Sequence, residues 1–262
     1  MLGGAFREWS RPFPEWSRPF PTVPNPISQN HSSFIIQKFT MNMNFTEQRT
    51  QLIITGQKMY QRELVVATEG NLSLRLDEAR ILATPSGLCK GEMALSDPVV
   101  IDLQGNHLEG ERRASSEILM HLEVYRQRPE VRAVVHAHPP SCIALMLAGK
   151  GLDRPILAES VILLGKIPTA PYARPSTPEV AASIRPFIRQ TDCLLLDHHG
   201  SLTAGASLSE AYHKLELMEQ VAKSYLAALQ LGPVRELDPE EVEKLNFMRE
   251  NTYGIKWPVI PF

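Results

Sequence analysis

The segment Val131-Arg-Ala-Val-Val-His-Ala-His138 decides the fold prediction, because a run rich in β-branched residues ends in two histidines. Such a run predicts a buried β-strand. Successive side chains of a strand point to opposite faces, so His136 and His138 share one face and lie close together. Two imidazoles placed in this way can bind one metal ion, although an isolated pair is also typical of polar side chains where a strand meets a loop.

A second apolar segment, Leu194-Leu-Leu-Asp-His-His-Gly200, ends in histidine in the same way. Histidines at the ends of two neighbouring core strands can converge on one point, and Gly200 is expected to let the backbone turn tightly behind them. Glu117, at the start of a predicted helix, adds a carboxylate. Three histidines and a glutamate are a donor set suited to zinc, with a position for substrate if the glutamate dissociates or the coordination expands.

Two short loops rich in glycine and hydroxyl groups flank further predicted strands. They are Thr68-Glu-Gly-Asn-Leu-Ser73 and Thr84-Pro-Ser-Gly87. Their backbone N–H groups and hydroxyls could hold a phosphate, as could those of Ser115 and Ser116 at a helix N-terminus. Each feature alone is also typical of a turn or a helix cap, and neither loop matches a nucleotide-binding fingerprint.

Helical and strand patterns alternate along residues 41–262 without a linker-like interruption, which predicts one mixed α/β domain. Leucines alternate with polar residues over 72–77, so a half-buried strand is expected there. Ser207-Leu-Ser-Glu210 has the form of a capping box at the start of a long helix, which Gly232-Pro233 ends. The predicted helices are 46–66, 116–128, 140–148, 178–189, 207–231 and 238–250, and the predicted strands are 72–77, 80–84, 99–103, 131–138 and 193–197.

Composition and charge narrow the function classes. The 262 residues are 43% hydrophobic and carry a net charge of −2, so the chain has no global attraction to nucleic acid or to acidic membranes. The sequence contains no run of about 18 apolar residues that could cross a bilayer. Cys89, Cys142 and Cys193 are odd in number and far apart. This cysteine usage predicts free or buried thiols in a reducing, cytoplasmic compartment.

Residues 1–40 are predicted to form a disordered extension outside the domain, because they are rich in proline and lack helical or strand periodicity. Glu8–Pro14 reads EWSRPFP and Glu15–Pro21 repeats it, a tandem copy too short to be a fold repeat. A proline-rich partner ligand is one alternative. Another is a true start at Met41 or Met43. A signal peptide is not expected, because an uninterrupted apolar core is missing.

The remaining histidines and Cys142 are interpreted as structural or exposed residues. His121 and His213 fall within predicted helices, and His31 and His107 fall in polar loops. Cys142 has no obvious neighbouring base, so it is predicted to be part of the core.

Five motifs in one order make the sequence resemble the class II aldolase/adducin-head family. They are GN-x-S, TPSG, SSE, a strand ending in HxH and a strand ending in HHG, and the likeness extends from about Thr46 to Gly254. Within the family, the sequence looks most similar to the fuculose-phosphate aldolases. The resemblance implies a central, mostly antiparallel β-sheet flanked by helices, assembled as a homotetramer with active sites between subunits.

The same resemblance implies roles for the candidate residues. Zinc, or else cobalt or manganese, would be held by Glu117, His136, His138 and His199. The substrate phosphate would be bound by Gly70, Asn71, Ser86, Gly87, Ser115 and Ser116. Glu117 would also move the proton, with Tyr253 as a second catalytic residue. The implied reaction is the reversible retro-aldol cleavage of a ketose 1-phosphate to dihydroxyacetone phosphate and an aldehyde.

One position departs from the family pattern. Glu159 stands where the fuculose-phosphate aldolases carry a tyrosine supplied by a neighbouring subunit, which predicts a less hydroxylated substrate, such as a 5-deoxy or 5-methylthio pentulose 1-phosphate. A methylthioribulose-1-phosphate dehydratase on the same scaffold is an alternative, whereas Glu117 argues against a ribulose-5-phosphate 4-epimerase. A non-catalytic adducin-head module, the remaining alternative, predicts lost metal ligands, yet all four are present.

Overall fold

A computed structural model describes residues 45–255 and 257–262 of the chain. The predicted extension over residues 1–40, with its two EWSRPFP copies, lies outside the described residues and stays a prediction. Within the described part, no helix has both the length and the apolar character needed to cross a membrane.

The centre of the domain is an eight-stranded β-sheet with the order β4-β3-β2-β1-β5-β8-β7-β6. All neighbouring strands are antiparallel except β6 and β7, so the predicted mostly antiparallel sheet is confirmed. The strands are β1 Asn71–Arg75, β2 Arg80–Ala83, β3 Val99–Asp102, β4 His107–Glu109, β5 Ala133–Ala137, β6 Thr169–Ala170, β7 Cys193–Leu196 and β8 Gly200–Gly205.

Helices cover both faces of this sheet. They are α1 Thr46–Gln61, α2 Ile118–Gln127, α3 Pro140–Leu147, α4 Ala158–Leu163, α5 Pro178–Ile184, α6 Leu208–Leu231 and α7 Pro239–Asn251. On one face α2 and α5 pack in a core cluster that includes Val134. On the other face α1 and α6 pack in a cluster that includes Val135. Two consecutive residues of β5 thus enter different cores, as expected for a strand that is covered on both sides.

Strand β1 is buried on both faces, which corrects the expectation of a half-buried strand. Leu72 packs in the layer of α1 and α6. The polar residues Ser73 and Arg75 lie beneath α2, where Ser73 Oγ is 2.8 Å from the Tyr125 hydroxyl and Arg75 donates to the Tyr125 carbonyl oxygen. The alternation of leucines and polar residues therefore predicts correctly which side chains share a face of the strand. The polar face is buried, however, and its hydrogen bonds are made to other residues rather than to water.

Two helices end earlier than expected, and the backbone gives the reasons. Helix α1 stops at Gln61 because Glu63 adopts a left-handed conformation with a φ of 57°. Helix α5 stops at Ile184 because Pro186 has no N–H to continue the helical hydrogen bonds. By contrast, the predicted caps of α6 are present: Ser207 Oγ accepts from the Glu210 N–H at 3.1 Å, and the helix ends at Gly232.

Sequence reasoning missed four short elements, β4, α4, β6 and β8. As a consequence His107 lies on a strand rather than in a loop, although it is exposed as expected. Cys89, Cys142 and Cys193 are free thiols, as predicted, and Cys142 is fully buried in the core.

Candidate functional site

Three histidines from two strand ends meet at one point. His136 lies in β5 and is fully buried, His138 follows it by two residues, and His199 lies in the turn between β7 and β8. Their candidate ligand atoms all lie within 4.8 Å of one another. The ring centroids are 4.7 to 5.2 Å apart. The neighbouring His198 is different, because 63% of its side chain is exposed, against 8% for His199.

Gly200 does not make the tight turn expected at this position. His198 takes the left-handed conformation in this turn, with a φ of 51°, and Gly200 already begins β8. A Cβ atom on Gly200 would overlap the Ala137 carbonyl oxygen and lie 2.8 Å from Cδ2 of the His138 ring. Glycine is therefore required because the histidine rings pack directly against this backbone.

Glu117 completes the cluster from the N-cap position, directly before α2. Its Oε1 lies 3.0 Å from His199 Nε2, and its Oε2 lies 3.3 Å from His136 Nε2. The Asn71 side-chain amide donates to the same Oε2 at 3.1 Å. Burial raises the pKa of Glu117, but the imidazoles of His136 and His199 outweigh it and hold the pKa well below its ordinary value. Glu117 is consequently a carboxylate at neutral pH.

The hydrogen-bond roles leave several lone pairs facing the same point. His136 Nδ1 must donate to the Ser201 carbonyl oxygen at 2.8 Å, so Nε2 is the ring nitrogen that faces the cluster and can bind a metal. His138 Nε2 lies 3.1 Å from that atom. Burial, reinforced by His136, lowers the pKa of His138 to about 4, so the His138 ring is neutral at pH 7. The buried Glu117 Oε1 accepts no well-aligned hydrogen bond among the described residues, although His199 Nε2 lies 3.0 Å away.

A metal cation fits this donor set. Ligand atoms bonded at about 2.0 to 2.1 Å in a tetrahedral zinc site lie about 3.3 Å apart. Three of the separations between members of the cluster, 3.0, 3.1 and 3.3 Å, are close to this spacing. Imidazole and carboxylate donors also suit cobalt or manganese, so the arrangement does not choose between these metals.

The two predicted phosphate loops lie beside Glu117. Gly70 has a φ of +67°, and a Cβ there would overlap the Val65 side chain, so this position requires glycine. The next residue, Asn71, is the one that donates to Glu117. In the second loop, the Ser86 N–H donates to the Arg113 carbonyl oxygen.

The serines before Glu117 join the second loop to α2. The Ser115 N–H donates to the Thr84 carbonyl oxygen at 3.2 Å. The Ser116 hydroxyl lies 2.8 Å from the Ser176 hydroxyl. Ser86, Gly87 and Ser116 are exposed, so their polar groups are open to a ligand.

Two predicted site residues are elsewhere in the chain. Tyr253 follows α7 with 57% of its surface exposed, and Glu159 is exposed in the first turn of α4, which packs against α7. Within the described part of the chain, neither makes a hydrogen bond, ion pair or ring contact with the histidine cluster. Their roles at the site stay predictions.

Sequence reasoning missed Lys90, a buried residue beneath both loops. Its Nζ donates to the Thr68 carbonyl oxygen at 2.8 Å and to the Leu88 carbonyl oxygen at 2.7 Å. Burial lowers its pKa to about 8. Lys90 thereby ties the first phosphate loop to the end of the second. Its partners are backbone atoms, so a motif search has no signal for this role.

His121 is a structural residue, one helical turn after Glu117. The ring is fully buried, and its Nδ1 is 2.7 Å from Ser73 Oγ. Burial lowers the pKa of His121 to about 3, so the ring is neutral.

The fold and the site together define a class of protein. It is an α/β domain in which three histidines and a glutamate cluster beside two loops that could hold a phosphate. The family model described as Class II Aldolase and Adducin N-terminal domain matches residues 50–226. The chain belongs to this family, and the resemblance drawn from the five motifs is confirmed.

Relatives within the family carry different activities in their names. The 3-oxo-tetronate 4-phosphate decarboxylase of Haemophilus influenzae is 33% identical over 202 residues, which cover 76% of this chain and 95% of the relative. The L-fuculose phosphate aldolase of Methanococcus vannielii is 38% identical over 165 residues, which cover 63% and 88%. A solved structure of L-fuculose 1-phosphate aldolase superposes with a TM-score of 0.72 at 32% identity, covering 79% of this chain and 97% of that one.

Proposed function

We propose that this chain is a metal-dependent lyase that breaks a carbon–carbon bond of a sugar phosphate and releases dihydroxyacetone phosphate. The observation that carries the proposal is the convergence of His136, His138, His199 and Glu117 beside two loops able to hold a phosphate. The family membership supports a lyase, because relatives named as an aldolase and as a decarboxylase both break such a bond.

The four clustered side chains would hold zinc, or cobalt or manganese in its place. When bound, the metal would supply a Lewis acid that stabilises the negative charge developing on the substrate oxygens. His136 and His138 present their Nε2 atoms to this point, while Asn71 orients the Glu117 carboxylate by donating to Oε2.

Glu117 is the proton carrier in this proposal. Without a metal the imidazoles of His136 and His199 keep its pKa low, whereas burial acts in the opposite direction. A substrate that displaces the carboxylate from the cluster would leave burial as the main effect on its pKa, which makes Glu117 a stronger base. The carboxylate can then accept a proton from a substrate hydroxyl and return it to the carbon at which the bond has broken.

The phosphate would be bound by backbone N–H groups and hydroxyls rather than by a field of positive charge. The net charge of the chain is −2, so capture of an anion depends on local groups. These are Gly70, Asn71, Ser86, Gly87, Ser115 and Ser116, which come from three segments around Glu117.

The first candidate reaction is the retro-aldol cleavage of a ketose 1-phosphate. Glu159 replaces the tyrosine of the fuculose-phosphate aldolases, which favours a 5-deoxy or 5-methylthio pentulose 1-phosphate over fuculose 1-phosphate. Tyr253 would be a second catalytic residue, in a cytoplasmic homotetramer whose active sites lie between subunits. Its exposure on the surface of the described chain is compatible with such a role.

The second candidate is the decarboxylation of a 3-oxo-tetronate 4-phosphate, the activity named for the Haemophilus influenzae relative. Loss of carbon dioxide from the carboxylate next to C2 would leave the enediolate of dihydroxyacetone phosphate, as aldol cleavage does. This reaction forms no aldehyde oxygen that needs a proton. A chain with Glu159 in place of the tyrosine therefore suits this reaction as well.

Product analysis separates these reactions. Zinc-loaded protein is incubated with fuculose 1-phosphate, 5-deoxy and 5-methylthio pentulose 1-phosphates, and 3-oxo-tetronate 4-phosphate, and dihydroxyacetone phosphate is measured. Release with an aldehyde supports the aldolase, and release with carbon dioxide supports the decarboxylase. Loss of water without carbon–carbon cleavage supports the dehydratase, and absence of turnover on all four substrates contradicts the proposal.

A further inference from the structure

The carboxylate of Glu69 lies next to one of the candidate metal ligands. Its Oε2 is 3.2 Å from Nδ1 of His138, on the opposite side of the ring from Nε2. The residue belongs to the first phosphate loop, directly before Gly70 and Asn71. One side chain thus links that loop to the histidine cluster.

The protons on His138 show why this contact matters. Nδ1 faces the Glu69 carboxylate group, and Nε2 faces the histidine cluster, 3.1 Å from His136 Nε2. A neutral imidazole has only one N–H, and a nitrogen that binds a metal must be unprotonated. A ring that offered Nε2 to a metal would therefore carry its single proton on Nδ1, where Glu69 can accept it.

The backbone of the loop places Glu69 firmly, although 43% of its side chain is exposed. The Glu69 N–H donates to the Val66 carbonyl oxygen at 3.0 Å. On one side Lys90 holds the Thr68 carbonyl oxygen, and on the other Asn71 donates to Glu117. The carboxylate is therefore presented by a loop that is fixed on both sides.

We propose that Glu69 is a positioning residue that keeps the His138 proton on Nδ1 and so presents Nε2 to the metal centre. The inference rests on the proposed function, because it presupposes that the cluster holds a metal. Carboxylates that orient a ligating histidine change metal affinity by about 10- to 100-fold when removed. Since Glu69 is partly exposed, the lower end of that range, about tenfold, applies here.

The test compares three variants of the full chain. Glu69→Ala removes the acceptor, and Glu69→Gln keeps an acceptor oxygen without the charge. Glu78→Ala removes an exposed carboxylate from the turn between β1 and β2 and serves as the control. The measurements are zinc affinity by competition with a chromophoric chelator, and the tautomer of the metal-free His138 ring from long-range ¹H–¹⁵N NMR spectra.

We expect Glu69→Ala to weaken zinc binding by about tenfold and to reduce the share of the Nδ1–H tautomer. Glu69→Gln should fall between Glu69→Ala and the unaltered chain, and Glu78→Ala should match the unaltered chain. Unchanged zinc affinity or an unchanged tautomer in Glu69→Ala overturns the inference and leaves the proposed function intact. Absence of zinc binding by the unaltered chain overturns both.

Discussion

Replacement of Gly200 by alanine should damage the metal centre through a single methyl group. The added Cβ would overlap the Ala137 carbonyl oxygen and lie 2.8 Å from Cδ2 of His138. Ordinary van der Waals contact begins near 3.4 Å, so the ring would have to retreat by about 0.6 Å. A ligand displaced by this distance leaves the tolerance of about 0.5 Å within which a functional site is held.

Two effects follow from this displacement. Overpacking of this kind costs about 1 to 3 kcal/mol in the free energy of unfolding. In a domain of this size, that cost lowers the melting temperature by about 2 to 12 °C. Zinc affinity should fall by about 10- to 100-fold, the range found when the groups that orient a metal ligand are lost.

The assay is calorimetric unfolding of the chelator-treated protein combined with zinc titration, and Gly149→Ala is the matched control. Gly149 has a φ of +67°, but no atom lies within 4 Å of a Cβ built there. Gly149→Ala should therefore lower the free energy of unfolding only by the strain of a left-handed alanine, about 1 to 2 kcal/mol. Its zinc affinity should be unchanged. The reasoning is refuted if Gly200→Ala binds zinc as tightly as the unaltered chain, or if Gly149→Ala loses zinc to the same extent.

Three further predictions address the proton carrier, the buried lysine and the phosphate contacts. Glu117→Gln should lower kcat by about 10²- to 10⁴-fold while the fold is kept, because the amide has the shape of the carboxylate but cannot carry the proton; turnover and circular dichroism check this. The pKa of Lys90 falls on folding from 10.5 to about 8, so the folded chain binds fewer protons than the unfolded chain between these pH values. Relative to Lys90→Met, the unaltered chain should therefore gain stability as the pH rises through this window, by up to about 3 kcal/mol in urea unfolding; a parallel pH dependence of the two would contradict it. Ser116→Ala should raise KM about tenfold or more with little change in kcat, as expected for a lost hydrogen bond to a charged phosphate, and an unchanged KM would exclude Ser116 from the phosphate site.

The sequence predicts those strands of the sheet that carry a clear residue pattern. It does not predict strands that form only because they pair with neighbouring strands. Five strands carry the β-branched or alternating residues that predict them. By contrast, Gly200–Gly205 contains two glycines and one β-branched residue, a composition typical of a loop. It forms a strand because it pairs with β5 on one edge and β7 on the other.

The site could be predicted as far as its polar residues form motifs. The histidines at the end of β5 and in the turn after β7 converge because β8 lies between the two strands, and the composition of β8 does not predict a strand. No motif marks Glu69 or Lys90, because Glu69 contacts a ring nitrogen of His138 and Lys90 donates to backbone carbonyl oxygens. Contacts of this kind depend on folded geometry and leave no pattern in the order of residues.

The most direct test of the metal-dependent lyase is the release of dihydroxyacetone phosphate before and after metal removal. Protein purified without added zinc is analysed for metal, depleted with a chelator, and assayed on the ketose 1-phosphates and 3-oxo-tetronate 4-phosphate. The account predicts release from at least one substrate, loss of that activity on depletion, and recovery with zinc, cobalt or manganese. Release that persists unchanged in fully depleted protein, or no release from folded, zinc-loaded protein, would contradict it.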